Sequence, residues 1–208
     1  MNMRLLTDIA VLTTLYFLVV PSTLAQSSDD SLEQAIREQL VAVEDLVLPS
    51  EMDRVWRKLR EFYSQRHYQP VWFKYAGLNA RGETWLHTIK LAYTHGLDPY
   101  DYHLGFFQRH RNDESPLLRV WMELLMTKAL TLYIEHMQVG LSTPKEMNLD
   151  WHIKKPSVDT MAWLQRILNA EDFQKVLDSL QPPHAGYRRL QAALLKYLAL
   201  KSSGGWPN

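Results

Sequence analysis

The chain has 208 residues, 23 basic and 23 acidic side chains, a formal net charge of zero and no cysteine. A neutral chain lacks the electrostatic footprint for nucleic acid or an anionic membrane surface. The missing thiol excludes disulfides, a cysteine nucleophile and the cysteine an N-terminal lipid anchor needs.

Residues 1–25 read as a secretory signal peptide. Met1 to Arg4 give a positive start, Ile9 to Val20 an apolar run, and Pro21-Ser22-Thr23-Leu24-Ala25 a small-residue exit before Gln26. The apolar run is short of the roughly 20 residues a membrane anchor needs. The expected product is an exported, periplasmic domain over residues 26–208, without a membrane segment after cleavage. A chain of about 180 residues buries roughly 70% of its unfolded surface, enough for a fold without bridges.

Leu32, Ala35, Ile36, Leu40 and Val43 recur at helical spacing and predict a helix ending near Pro49. A second begins near Ser50, carries Val55, Leu59, Phe62 and Tyr63 on one face, and ends before Pro70. Val71, Trp72 and Phe73 predict only a short extended piece. Trp85, Leu86, Ile89, Ala92 and Tyr93 form the next stripe, closed by Gly96. Asp98-Pro99 reads as an N-cap followed by a first-turn proline. Ser115-Pro116 opens the longest helix, through Val120, Leu124, Leu125, Ala129, Leu132 and Met137, and Gly140 stops it. A helix with Met161, Leu164, Ile167 and Leu168 starts at Ser157 or Asp159, and a shorter one runs from Glu171 to Leu180. After Pro182-Pro183 the last helix carries Tyr187, Leu190, Leu194, Tyr197 and Leu198 up to Gly204-Gly205. The fold class is all-α, a single irregular bundle of about seven to nine helices after the signal peptide.

The histidines lack metal-ligand spacing: His87 and His95 lie more than two turns apart, and Glu135-His136 is not His-Glu-x-x-His. No metal site and no cofactor are expected. Glu123 and Glu135 are the candidate acids for glycan cleavage, and the ordinary reading puts them on the solvated face of their helix. No Gly-x-Ser-x-Gly elbow is present. Tryptophan carries the signal for binding. Trp85, Trp121 and Trp163 fall on helical stripes and are expected in the core; Trp72, Trp151 and Trp206 lie in irregular segments and are the candidate binding residues.

The stretch Phe62-Tyr63-Ser64-Gln65-Arg66-His67-Tyr68-Gln69-Pro70-Val71-Trp72-Phe73, with His95-Gly96-Leu97-Asp98-Pro99, Tyr102-His103 and Gly204-Gly205-Trp206-Pro207, resembles the helical scaffold domain of the large bacterial L,D-transpeptidases. Those enzymes acylate a cysteine in a separate domain around Ser-His-Gly-Cys, and this sequence contains no such motif. The resemblance therefore implies a non-catalytic module of peptidoglycan crosslinking that docks to a cell-wall enzyme or to the sacculus. The alternatives are a truncated, catalytically dead transpeptidase fragment and a hydrolase using carboxylates.

Overall fold

The computed structural model describes residues 28–44, 46–74, 77–141 and 157–205. These residues contain eight α-helices: α1 (Ser28–Glu44), α2 (Ser50–Gln65), α3 (Ala80–Lys90), α4 (Leu104–His110), α5 (Pro116–Val139), α6 (Thr160–Leu168), α7 (Phe173–Asp178) and α8 (Ala185–Ser202). Two 3-10 turns, Ala92–His95 and Pro99–Tyr102, follow α3. The described chain is thus all-α apart from two short strands, β1 (Phe73–Lys74) and β2 (Gly77–Leu78). They pair antiparallel with Phe73 opposite Leu78 and Lys74 opposite Gly77. Of the extended piece expected at Val71–Phe73, only Phe73 lies in a strand; Val71 and Trp72 form a bend that leads into it. The predicted signal peptide, Trp151 and Trp206 lie outside the described residues. No described helix is long and apolar enough to cross a membrane.

Side-chain caps set several boundaries. The Asp98 carboxylate accepts from the Tyr100 amide, Asp159 from Ala162 and Asp172 from Lys175, each satisfying a donor that the first turn leaves without a partner. At the end of α2 the Tyr68 amide reaches back to the Tyr63 carbonyl (2.7 Å) and the His67 amide to that of Ser64 (3.2 Å). This Schellman arrangement places the residue after the cap in the left-handed region, usually glycine. Here His67 (φ 54°) and Tyr68 (φ 63°) both occupy it, a conformation that costs a non-glycine residue about 1 kcal/mol or more. Gly96 (φ 76°) closes the first 3-10 turn by the same pair of bonds without that penalty.

The chain forms two compact units. One comprises the described residues up to Gly82 together with Gly105–Lys128; the other comprises Glu83–Leu104 and the described residues from Ala129 onward. In the first, Ile36, Leu40 and Val43 of α1 are buried, as are Val55, Trp56, Leu59, Phe62 and Tyr63 of α2, with Trp72 and the start of α5. In the second, the core is built from Trp85, Leu86, Ile89, Tyr102, Tyr133, Ile134, Leu164, Ile167, Phe173 and Leu177.

Helix α5 departs from the amphipathic pattern expected of it. Every residue from Val120 to Thr131 is buried. The polar side chains of Glu123, Thr127, Lys128 and Thr131, which share one face of the helix, are enclosed with the rest, so α5 has no solvated face there to carry Glu123.

Candidate functional site

Glu123 is fully buried, which corrects its expected place on a solvated helix face. One carboxylate oxygen accepts from the Tyr63 hydroxyl at 2.7 Å and from the Val71 amide at 2.6 Å. The other accepts from the Trp72 amide at 3.0 Å. One turn along α5, the Thr127 hydroxyl lies 2.7 Å from the Tyr63 hydroxyl and accepts from the Trp72 indole N–H at 2.9 Å. Burial raises the Glu123 carboxyl above its ordinary range, opposed by the donors of Val71, Tyr63 and Trp72 and by the Arg66 charge. The Tyr63 phenol is pushed well up, first by burial and then by the Glu123 charge.

Chemically this is an anchor. An acid that works on a glycosidic bond must meet its substrate; Glu123 has no exposed surface, and both its oxygens hold donors of the same polypeptide. What it holds is the segment Val71–Trp72, where the chain leaves the strained turn at His67–Tyr68. From the other side, the Asn79 side-chain amide donates to the Val71 carbonyl (2.7 Å), and its main-chain amide donates to that of Trp72 (2.8 Å). The Asn79 side-chain Oδ1 accepts from the Gly82 amide at the start of α3. Gly82 sits so close that a Cβ there would lie 3.1 Å from the Trp72 carbonyl oxygen.

Trp72, expected as a binding residue, is fully buried with its indole N–H engaged. No ring face is left for a sugar to stack on. Its burial leaves no main-chain group wanting, because its amide donates to Glu123 and its carbonyl accepts from the Asn79 amide. Trp85 and Trp121 are in the core as expected. Trp163 is only half-buried, with the Arg166 guanidinium over its ring at 4.9 Å, so the core expectation does not hold for it. Trp56, off the stripe counted from the sequence, is buried edge-on against Trp121 at 6.3 Å. The other candidate acid, Glu135, is half-buried and accepts from the Thr160 hydroxyl at 3.3 Å.

The second unit holds a set of tyrosines and histidines. His95 Nδ1 lies 2.6 Å from the Tyr187 hydroxyl and 3.0 Å from Gln191 Nε2, with the two rings stacked. Burial lowers the His95 pKa, opposed by Asp178. The Tyr102 hydroxyl meets His136 Nδ1 at 2.6 Å, and the Tyr102 ring stands edge-on to Tyr133, which stands edge-on to Trp85. Burial pushes the Tyr102 and Tyr133 phenols up. Among the described residues, no three His, Asp or Glu side chains converge as ligands of a metal ion.

The surface of this unit differs from its interior. Helix α8 contains no buried residue. It packs on the Ala92–His95 turn, with Tyr187, Gln191, Leu194 and Leu198 half-buried on one face. Leu190, Leu195 and Tyr197 are exposed. Arg188, Arg189, Lys196 and Lys201 are exposed as well, and the helix has no acidic residue.

Compared with protein-family models, the chain matches the one described as Scaffold domain over residues 57–194. The matched span includes Tyr63, Trp72, Asn79, Glu123 and Thr127, and most of α8. No curated protein and no solved structure matches the chain.

Proposed function

The chain belongs to the Scaffold-domain family, the helical scaffold of the large L,D-transpeptidases, and from that premise we propose that it is a non-catalytic accessory module of peptidoglycan crosslinking. It is exported to the periplasm, where it docks to a cell-wall enzyme or to the sacculus. The observation that carries this reading is the family match across both compact units. The absence of cysteine from the sequence agrees with it, because L,D-transpeptidases attack through a thiolate. Further support comes from Glu123. The most buried acid among the described residues is spent on holding its own backbone, which suits a fixed frame whose exposed parts do the recognising.

The test is cellular. The protein is produced with its own N-terminus in a wall-bearing bacterium, crosslinked in living cells with a short amine-reactive reagent, and fractionated. The expected result is a shortened chain in the periplasmic fraction, carried with the sacculus or with a transpeptidase. Retention of the uncut chain in the cytoplasm would sink the proposal.

A further inference from the structure

We infer that α8 is the surface that binds the wall, and that its ligand is the set of free carboxylates on the stem peptides of peptidoglycan; this rests on the wall-docking arm of the function proposed above. The overall charge of zero hides a segregation. Four basic residues and no acidic one lie on the 18 residues of α8, which leaves 19 basic against 23 acidic residues in the rest of the chain. Arg189 and Lys196 are seven apart and share one stripe of the helix; Leu190, Ala193 and Tyr197 form the stripe beside it. All five are exposed. A polyanion running along the helix meets cations on one stripe and a tyrosine face on the next. Tyrosine stacks on a sugar ring and keeps its hydroxyl in water.

Two features favour this ligand over an anionic bilayer. An interfacial helix turns its broad apolar face to the lipid. In α8 the Tyr187, Leu194 and Leu198 face is turned to the Ala92–His95 turn, where Leu194 lies in van der Waals range of a Cβ built at Gly96 and Tyr187 stacks on His95. What remains outward is the narrow stripe of Leu190, Ala193 and Tyr197, bounded by the Arg189 and Lys196 charges, with Leu195 exposed apart from it. Such a surface suits a hydrated, charged polymer. The geometry also fixes the helix in place: the Tyr187 and Gln191 bonds to His95 hold its face toward the unit, so the cations are presented without ordering a free segment.

The experiment is sedimentation of the exported protein with washed sacculi across a salt series, with three comparisons. The first is the triple variant R189E/K196E/K201E, with R189K/K196R/K201R as the charge-preserving control. Arg188 is left alone because its guanidinium holds the Pro183 carbonyl. The second is sacculi whose carboxylates have been amidated. The third is vesicles of phosphatidylglycerol and phosphatidylcholine. Each exposed charge pair is worth a factor of up to about five, and salt screens it. Binding of the parent should weaken as salt rises, fall about ten-fold in the triple variant and on amidated sacculi, and persist in the control. Circular dichroism shows whether the triple variant is folded; if it is not, R189Q/K196Q/K201Q replaces it. Equal binding by parent and folded triple variant overturns the assignment of α8 and leaves the wall-docking reading standing. Failure of the parent itself to bind removes both. Tighter binding to the vesicles than to sacculi overturns the choice of ligand.

Discussion

Replacing Glu123 by glutamine decides which of two opposed effects governs the buried anchor. The carboxylate accepts three hydrogen bonds, from the Tyr63 hydroxyl and the Val71 and Trp72 amides. All three neighbours are donors, and a side-chain amide offers one accepting oxygen. With that oxygen toward Tyr63 and Val71, the amide nitrogen faces the Trp72 N–H, donor against donor. A buried donor left without a partner costs about 1–3 kcal/mol. Against this stands the relief of removing a buried charge, the same burial that raises the Glu123 pKa. We expect the hydrogen bonds to win, since they also brace the strained turn at His67–Tyr68. The net loss should be about 2 kcal/mol, or a melting temperature lower by roughly 4–8 °C for a chain of this size. Urea unfolding at pH 7 followed by tryptophan fluorescence measures it. A variant as stable as the parent, or more stable, would refute the anchor and show that desolvation outweighs the three donors.

Other substitutions test the surrounding packing. Trp72→Phe removes the donor to Thr127 and leaves a void. It should cost about 1–3 kcal/mol in urea unfolding with unchanged sedimentation on sacculi; lost binding at unchanged stability would return Trp72 to the recognition surface. Gly82→Ala places a methyl group 3.0 Å from Leu78 Cδ2 and 3.1 Å from the Trp72 carbonyl. The leucine can swing away, but that carbonyl is held by the Asn79 amide. The crowding should outweigh alanine's better helix propensity and cost about 1 kcal/mol; a raised melting temperature would show a looser contact. The His95 pKa is lowered by burial, below its unfolded value of about 6.5. Its contribution is therefore complete above that value and lost as pH falls through the depressed pKa. The urea midpoint should drop between pH 7.5 and 5, and His95→Asn, which keeps an acceptor near the Nδ1 position, should flatten the drop.

The helical frame was legible because its boundaries are written in local chemistry. Asp98, Asp159 and Pro116 start elements and Gly140 ends one where the sequence places them, whereas α3 already ends at Lys90 and Gly96 closes the Ala92–His95 turn after it. These effects act within one turn and need no knowledge of the tertiary structure. The anchor was not legible by the same means. Glu123 reads as a surface acid under the rule that carboxylates face water, and Thr127, Lys128 and Thr131 share its side of α5, yet every residue from Val120 to Thr131 is buried. Its partners Tyr63, Val71 and Trp72 are more than 50 positions away in sequence. The same limit applies to α8. Its Tyr187, Leu190, Leu194, Tyr197 and Leu198 read as one core stripe, whereas only part of that arc is covered and Leu190 remains 74% exposed. Periodicity gives the faces of a helix, not how much of each a neighbour covers. The two-residue strands are too short for any alternation to register.

The wall-docking arm of the central claim, binding to the sacculus without chemistry on it, is tested most directly by one incubation of the exported protein with radiolabelled sacculi. Sedimentation then reads bound protein in the pellet and released label in the supernatant together. The account expects protein in the pellet, retained less as salt rises, with no label released above a buffer control. Release of labelled muropeptides that tracks protein concentration, or a pellet free of the protein at low salt, would contradict it.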